Sequence, residues 1–469
     1  MRIPLAGGQN KRFSVNQDAQ TLVNLYLDVD NEEQETSPAM YKVPGKSTFS
    51  AVGSGPIHAL IEFGGAVLAV SNDDVYRIDS NGNETLIGSI SFLDPSVACS
   101  KNRYQAIFVT DSGAWVSNGT SLTQVTDPDY PGSVSVDYLG GYFIFAIPDS
   151  QQFYVSALDN GGSYDALDYA QAESNVDNIV TPIVDHEEVW LFGTDSTEVW
   201  YISGASDFPL ARRQGATMEV GCAARRSVAL ADNTIFWLGR NRSGAGVVYR
   251  ADGYNPQIIS NRGIEYEISR MSQIDDAIAY SYQDSGHTFY VLTFPVGGKT
   301  FVYDASVQDP GKAWHVRETY GKGRDRGNCH VFAFNKHLVG DFETGVIWEL
   351  SRDVFSDGGL PIAWERTFPR IVSDFKRLFF RELTINIERG VGLTNGDDPK
   401  IYLDWSDDGG HTWSSKREAS MGTVGNYLPM VVFNRLGSAR ERIFRISGSD
   451  SVKTVILGGY IDVDKGSHP

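Results

Sequence analysis

One short pattern recurs seven times along this chain: a small or β-branched residue, an aromatic residue, then a polar or alternating tail. It reads VYRID at 75–79, AWVSN at 114–118, FYVSA at 153–157, VWYIS at 199–203, VYRAD at 248–252, VYDAS at 302–306 and IWELS at 347–351. The aromatic residues, Tyr76, Trp115, Tyr154, Trp200, Tyr249, Tyr303 and Trp348, stand 39 to 54 residues apart, about 45 on average. That is the length of one four-stranded propeller blade, whereas the strands of a sandwich return every roughly 8–12 residues. Each copy follows another alternating run across a turn of Asp, Asn, Ser or Gly, as in HALIEF-GG-AVLAVS-NDD-VYRID and CHVFAFN-KH-LVGDFETG-VIWELS. Alternation interrupted by such residues is the signature of a β-hairpin. The fold expected is all-β, with a seven-bladed β-propeller over residues 51–355. Six or eight blades, or a pair of irregular sandwiches, are the alternatives.

The composition agrees: 48 glycines and 12% aromatic residues suit strands joined by tight turns. Helical periodicity is nearly absent, and the best candidate is the run 263–280, GIEYEISRMSQIDDAIAY. Residues 1–50 form an N-terminal arm with one strong strand signal, TLVNLYLD at 21–28, then the acidic stretch DVDNEEQETSP at 28–38. That strand either closes the ring against the last blade or reaches a neighbouring subunit. After Ser356-Asp357-Gly358-Gly359 the repeat stops. Longer alternating runs at 377–388, 400–405, 427–436, 442–448 and 452–463 predict a C-terminal antiparallel β-sandwich over 360–469.

The octet SDDGGHTW at 406–413 matches the Asp box found on sialidase blades, yet its physics is that of a turn. Asp408 accepts local N–H groups, Gly409 and Gly410 tolerate positive φ, and Trp413 folds back as an apolar plug; IYLDW (401–405) and TWSSK (412–416) are the expected flanking strands. Ser406, Asp408, Gly410 and Trp413 are therefore read as a structural turn. A sialidase would need three arginines in one pocket and a pair of reacting groups facing one sugar. Arg212, Arg213, Arg225 and Arg226 are available, but nothing in the sequence gathers them. YQDSGHTF at 282–289 repeats only the core of the box, and His287 and His411 are assigned to their turns. No GxSxG elbow or phosphate loop occurs. The loops 71–74 and 126–132 are aspartate-rich but lack calcium-loop spacing, so solvated turns are expected. No catalytic residue, metal or cofactor is expected.

Acidic residues exceed basic ones for a net charge of −19, which argues against general nucleic-acid binding. Three scattered cysteines, Cys99, Cys222 and Cys329, indicate reduced thiols. The N-terminus lacks an apolar signal region and no run has membrane-spanning length, so folding in a cytoplasm is expected.

Several stretches carry a family likeness. They are the Y-x-x-G-x-F-x-F strand at 138–145, DYAQAES at 168–174, the W-x-F-G-x-x-S-x-E-V-W-Y run at 190–201, the Gly221-Cys222-Ala223 turn, and NLYLDVDNEE with YKVPGKSTF near the start. The chain up to about residue 350 resembles the packaged DNA stabilization protein family of short-tailed bacteriophages. The resemblance implies a non-enzymatic virion protein added below the portal after packaging, which closes the head-to-tail channel, retains the genome and forms a tail hub platform. It implies a homo-oligomeric ring, hexameric in form. The implied partners are portal and adaptor (head-completion) proteins, a tail needle, fibre or tailspike, and channel DNA that is not tightly bound; no membrane is among them. Assembly would take place in the host cytoplasm. The alternative is a carbohydrate- or receptor-binding tail propeller, which needs exposed aromatic faces. Trp200, Trp237 and Trp348 instead fall inside strands.

Overall fold

A computed structural model describes residues 2–466 apart from 4, 15, 30–37, 206, 242–243, 375, 391, 394–397 and 428–429. Most of the acidic stretch 28–38 thus lies outside the described residues. Seven four-stranded antiparallel units follow one another along the described chain. Their first strands are Ile57–Phe63, Ala98–Lys101, Val136–Leu139, Ile179–Asp185, Ala229–Ala231, Ile278–Asp284 and Gly327–Ala333. Six of the seven joins between neighbouring units are made by touching first strands, that of the seventh with the first among them, so the units form a closed ring. Between the fourth and fifth units the join is a shared core, with Phe192 and Trp237 ring centroids 5.2 Å apart. These units are propeller blades, numbered here 1 to 7.

All seven recurring aromatics lie on the third strand of their blade. Six are buried and Tyr76 is half-buried. They pack across blade boundaries, as Trp200 does on Phe153 (4.9 Å), which explains why blade spacing is visible in the sequence. Six of the seven first hairpins close on two consecutive residues of positive φ, the backbone of a type I′ turn. Only blades 1 and 3 use Gly-Gly there; blades 4, 5 and 7 use His186-Glu187, Asp232-Asn233 and Phe334-Asn335. The blade 7 turn therefore precedes the expected Lys336-His337, which already belongs to the second strand.

Ring closure differs from expectation. The fourth strand of blade 7 is Gly45–Ala51, paired antiparallel with Val346–Ser351, and not the run 21–28. Leu22–Val23 instead runs parallel to Trp314–Arg317, the outer strand of blade 6, and antiparallel to Trp364–Thr367. Val23 is the shared residue, facing Val316 on one side and Glu365 on the other. Leu25–Asp28 pairs with Ala39–Lys42 and through it joins a sheet of the C-terminal domain. Leu22 and the consecutive residues Asn24, Leu25, Tyr26 and Leu27 are buried there. The strand thus goes where two open edges, rather than one, can be covered.

The five expected C-terminal runs all carry strands, Leu378–Ile387, Lys400–Ser406, Val431–Ala439, Glu441–Gly448 and Val455–Lys465, arranged in two sheets. One of those sheets is continuous with blade 6 through Leu22–Val23, making a ten-stranded sheet across both domains. The arm is pinned there by Arg366, which is fully buried. Its guanidinium donates to the carbonyls of Leu5 (2.9 Å), Gly8 (3.3 Å) and Thr21 (3.1 Å) and to Gln20 Oε1 (2.7 Å). Burial pushes its pKa down to about 10, with Asp18 opposing. The helical candidate 263–280 is helix only up to Ser269, within the element Arg262–Ser269, capped by the Asn261 side chain, which accepts from Gly263 and Ile264 N–H at 3.0 Å each. From Ile278 the chain is drawn into blade 6 by pairing with His287–Phe294.

Candidate functional site

The Asp box turn is held by its own side chains. Ser406 Oγ donates to Asp408 Oδ1 (2.6 Å) and accepts from Gly410 N–H (2.8 Å). Asp408 further accepts from the N–H groups of His411 (3.0 Å) and Thr412 (2.9 Å) and from the Thr412 hydroxyl (2.6 Å). The bonds from Ser406 and Thr412 hold this carboxyl well below the usual range. Gly410 sits at φ 99°. Two details depart from expectation. The return strand is Arg417–Ser420, so 412–416 is not a strand. Trp413 is half-buried and covered by the Arg445 guanidinium, 3.9 Å from its ring centroid, rather than sealed beneath the turn. Arg445 is itself anchored by Asp404 (2.9 Å).

His287 is more than a turn residue. It is buried, with Nδ1 2.7 Å from Asp304 Oδ2 and 3.1 Å from Ser306 Oγ, while Ser306 donates to Asp304 Oδ1 at 2.6 Å. These are the residue types of a hydrolase triad in the wrong arrangement. Serine and aspartate meet the same ring nitrogen, and the hydroxyl proton is committed to the carboxylate. A general base needs the serine on the nitrogen opposite the carboxylate. The group braces the strand ends of blade 6.

The four arginines divide between two places. Arg212 and Arg213 pair with Glu198 (4.0 Å) and Glu188 on blade 4. Arg225 and Arg226 begin a short 3₁₀ turn, Arg225–Ser227, ahead of blade 5, and reach across the ring. Arg225 donates to Asp94 Oδ2 (2.9 Å), between blades 1 and 2, and Arg226 reaches the His58 carbonyl on blade 1 (3.4 Å). The Asp94 loop is held by Asp111, which accepts the N–H groups of Leu93 and Asp94 at 2.9 Å each. Around this bridge lies a cavity of about 1020 Å³ where the first strands of all seven blades begin.

Burial, reinforced by the Arg226 charge, lowers the His58 pKa to about 4. Burial likewise pushes the thiols of Cys99 and Cys329 up to about 12 and that of Cys222 up to about 11, so none is a ready nucleophile. All three cysteines are free. Asp127 in the loop 126–132 accepts the N–H groups of Asp129 (3.0 Å) and Tyr164 (3.1 Å), and in the loop 71–74 Asp74 binds the Ser89 hydroxyl (2.7 Å). Among the described residues there is no cluster of metal-ligating side chains, and no helix is long and apolar enough to cross a membrane. Trp200, Trp237 and Trp348 are buried and offer no face to a sugar. The Arg225–Arg226 bridge was not legible in the sequence. Its one local signal is the adjacent pair of arginines after a Gly-Cys-Ala-Ala turn.

A family model described as "Bacteriophage P22 Gp10, beta-propeller" matches residues 1–355, and one described as "Bacteriophage P22 Gp10, beta-sandwich" matches residues 363–464. No curated protein matches the chain by sequence. Among solved structures, the Neurospora crassa Pan2 WD40 domain is similar with a TM-score of 0.41 and 8% identity, covering 66% of this chain and 96% of that one. The extracellular domain of BT4673 from B. thetaiotaomicron is similar with a TM-score of 0.44 and 10% identity, covering 88% of this chain and 58% of that one.

Proposed function

The chain belongs to the bacteriophage P22 Gp10 family, structural proteins of the short phage tail, and from that premise we propose that it closes the head-to-tail channel after packaging and retains the genome without enzymatic activity. It forms a tail hub platform as a homo-oligomeric ring, hexameric in form, between portal and adaptor proteins on one side and a needle, fibre or tailspike on the other. It is a virion protein, and in this reading it assembles in the host cytoplasm.

The observation that carries this reading is the ten-stranded sheet running from blade 6 through Leu22–Val23 into the sandwich. Load on either domain passes through paired backbone groups and the Arg366 hub instead of through a soft linker, which suits a part that holds a column of DNA in place. The Arg225–Asp94 bridge supports it as well, since each ring is crossed from within and DNA would have to be blocked by the assembly, not threaded through a chain. The Asp box turn, including Ser406, Asp408, Gly410 and Trp413, has a structural role.

The test is genetic and physical. Particles assembled without this protein should package DNA and then lose it, and adding the purified protein before release should restore retention. Particles that keep their genomes in its absence would refute the proposal.

A further inference from the structure

The cavity at the start of the first strands holds charged groups that lack a full set of partners among the described residues. Arg324, in the segment leading into blade 7, is 5% exposed and lines this cavity. Its Nε donates to the Asp325 carbonyl (3.2 Å) and its guanidinium stacks over Phe342 (4.2 Å), but its Nη2 has no hydrogen-bond partner. Among the described residues no carboxylate lies within salt-bridge distance of Arg324 or of Arg226, which lines the same cavity and reaches the His58 carbonyl at 3.4 Å. Burying a cation without a counter-charge is among the costliest arrangements a fold can keep. Burial in the first place, and the Arg226 charge to a smaller extent, lowers the Arg324 pKa despite the attraction of Asp325 and Asp276. Asp276 supplies the opposite orphan. Its Oδ2 accepts the Val296 N–H (2.7 Å), whereas its Oδ1, also buried, has no partner. Exposed Asp149 and Asp275 stand at the rim.

We propose that this cavity is a binding site for a carboxylate-bearing peptide segment of a partner protein, whose acidic group seats between Arg226 and Arg324. Guanidinium groups match a carboxylate's geometry and strengthen the bond by charge. The acidic rim and the unpaired Asp276 oxygen favour a basic residue or N–H donor following the acidic tip, a combination that a peptide offers and a nucleic-acid strand does not. The volume suffices for several residues, and the prolines lining it, Pro95, Pro148 and Pro295, stiffen its walls. The bridge between Arg225 and the exposed Asp94 lines the same cavity.

The experiment uses the full chain and two fluorescent probes. One is a short flexible peptide with glutamates at its tip followed by lysines; the other is the same peptide with glutamines for glutamates. The glutamate peptide should bind saturably at one per chain, and Arg324→Met and Arg226→Gln should each weaken it tenfold or more. In the absence of peptide, Arg324→Met should melt no lower than the parent, because it removes a buried cation that no described carboxylate contacts. Arg226→Gln, at a half-buried position, keeps the binding test available if Arg324→Met fails to fold. Equal binding of both peptides, binding unaffected by Arg226→Gln, or a single-stranded oligonucleotide that outcompetes the glutamate peptide would each overturn the proposal.

Discussion

Lys46 Nζ lies 2.6 Å from Asp325 Oδ2 and 3.3 Å from Asp357 Oδ1, with all three side chains buried. The pair ties the strand that closes the ring to the segment entering blade 7. Thr319 donates to Asp357, and the Gly327 N–H donates to Asp325 at 2.8 Å. Burial works against ionisation of Asp325, but the Lys46 ammonium, its hydrogen bond and the Gly327 N–H outweigh it and hold the carboxyl below its usual range. Burial works against Lys46 as well, and Asp325 and Asp357 outweigh it to raise its pKa.

Removing Lys46 should therefore cost more than removing the pair. Lys46→Met strands the buried Asp325 carboxylate and leaves Asp357 with Arg326 at 3.8 Å, and a loss of about 3–5 kcal/mol is expected. The double variant Lys46→Met/Asp325→Leu should recover much of it, a difference that denaturant unfolding of the four proteins of the cycle measures.

The pH dependence follows from the direction of each shift. Asp325, depressed in the fold, contributes stability that is present above about pH 4, its unfolded value, and is lost as pH falls through the lower folded pKa. Lys46, raised in the fold, contributes stability that is complete below about pH 10 and is lost as pH rises through the higher folded pKa. The melting temperature difference between the parent and the double variant should be flat from about pH 5 to 9 and shrink in acid. A difference that changes between pH 6 and 8 would show that another group governs the site.

Two truncations separate the roles of the arm. Deleting residues 1–30 removes the Leu22–Val23 link and leaves Arg366 without its four acceptors, yet keeps the closing strand Gly45–Ala51. The propeller should stay folded while limited proteolysis opens the connection between Ser351 and Trp364. Deleting residues 1–51 strips the closing strand as well, and should expose the edge of Val346–Ser351 and cause aggregation. Aggregation of both, or of neither, would contradict this assignment.

Asp408→Ala should lower the melting temperature, since four accepted bonds within the turn disappear. Assembly should persist, and neither protein should hydrolyse a sialoside. Hydrolysis by the parent that vanishes in the variant would reverse the reading of the octet.

The isolated protein should bind duplex DNA weakly at physiological salt. Its net charge of −19 repels phosphate, and each lysine or arginine contact would add a salt-dependent retention term that hinders release. A mobility shift measured over a series of salt concentrations checks this, and tight binding that falls steeply with salt would count against retention by blockage.

Local physics made the propeller legible. A strand alternates with period two, an inter-blade aromatic is needed once per blade, and both leave a trace in consecutive residues, as Trp115 on one blade and Trp348 on another illustrate. The same holds for the five sandwich strands and for the Asp box, whose bonds span four residues. The turns were half-legible: Gly64-Gly65 announces positive φ, but His186-Glu187 and Phe334-Asn335 adopt it only because the paired strands on either side impose it. Tertiary structure alone decided the rest. The run 21–28 carries the strong strand signal and 45–51, GKSTFSA, a weak one, and the choice of Gly45–Ala51 depends on which sheet edges the closed ring leaves open. Lys46 meets Asp325 and Asp357, and Arg225 meets Asp94, across more than a hundred residues. No period in a sequence encodes such meetings, because their geometry exists only once the blades stand in a circle.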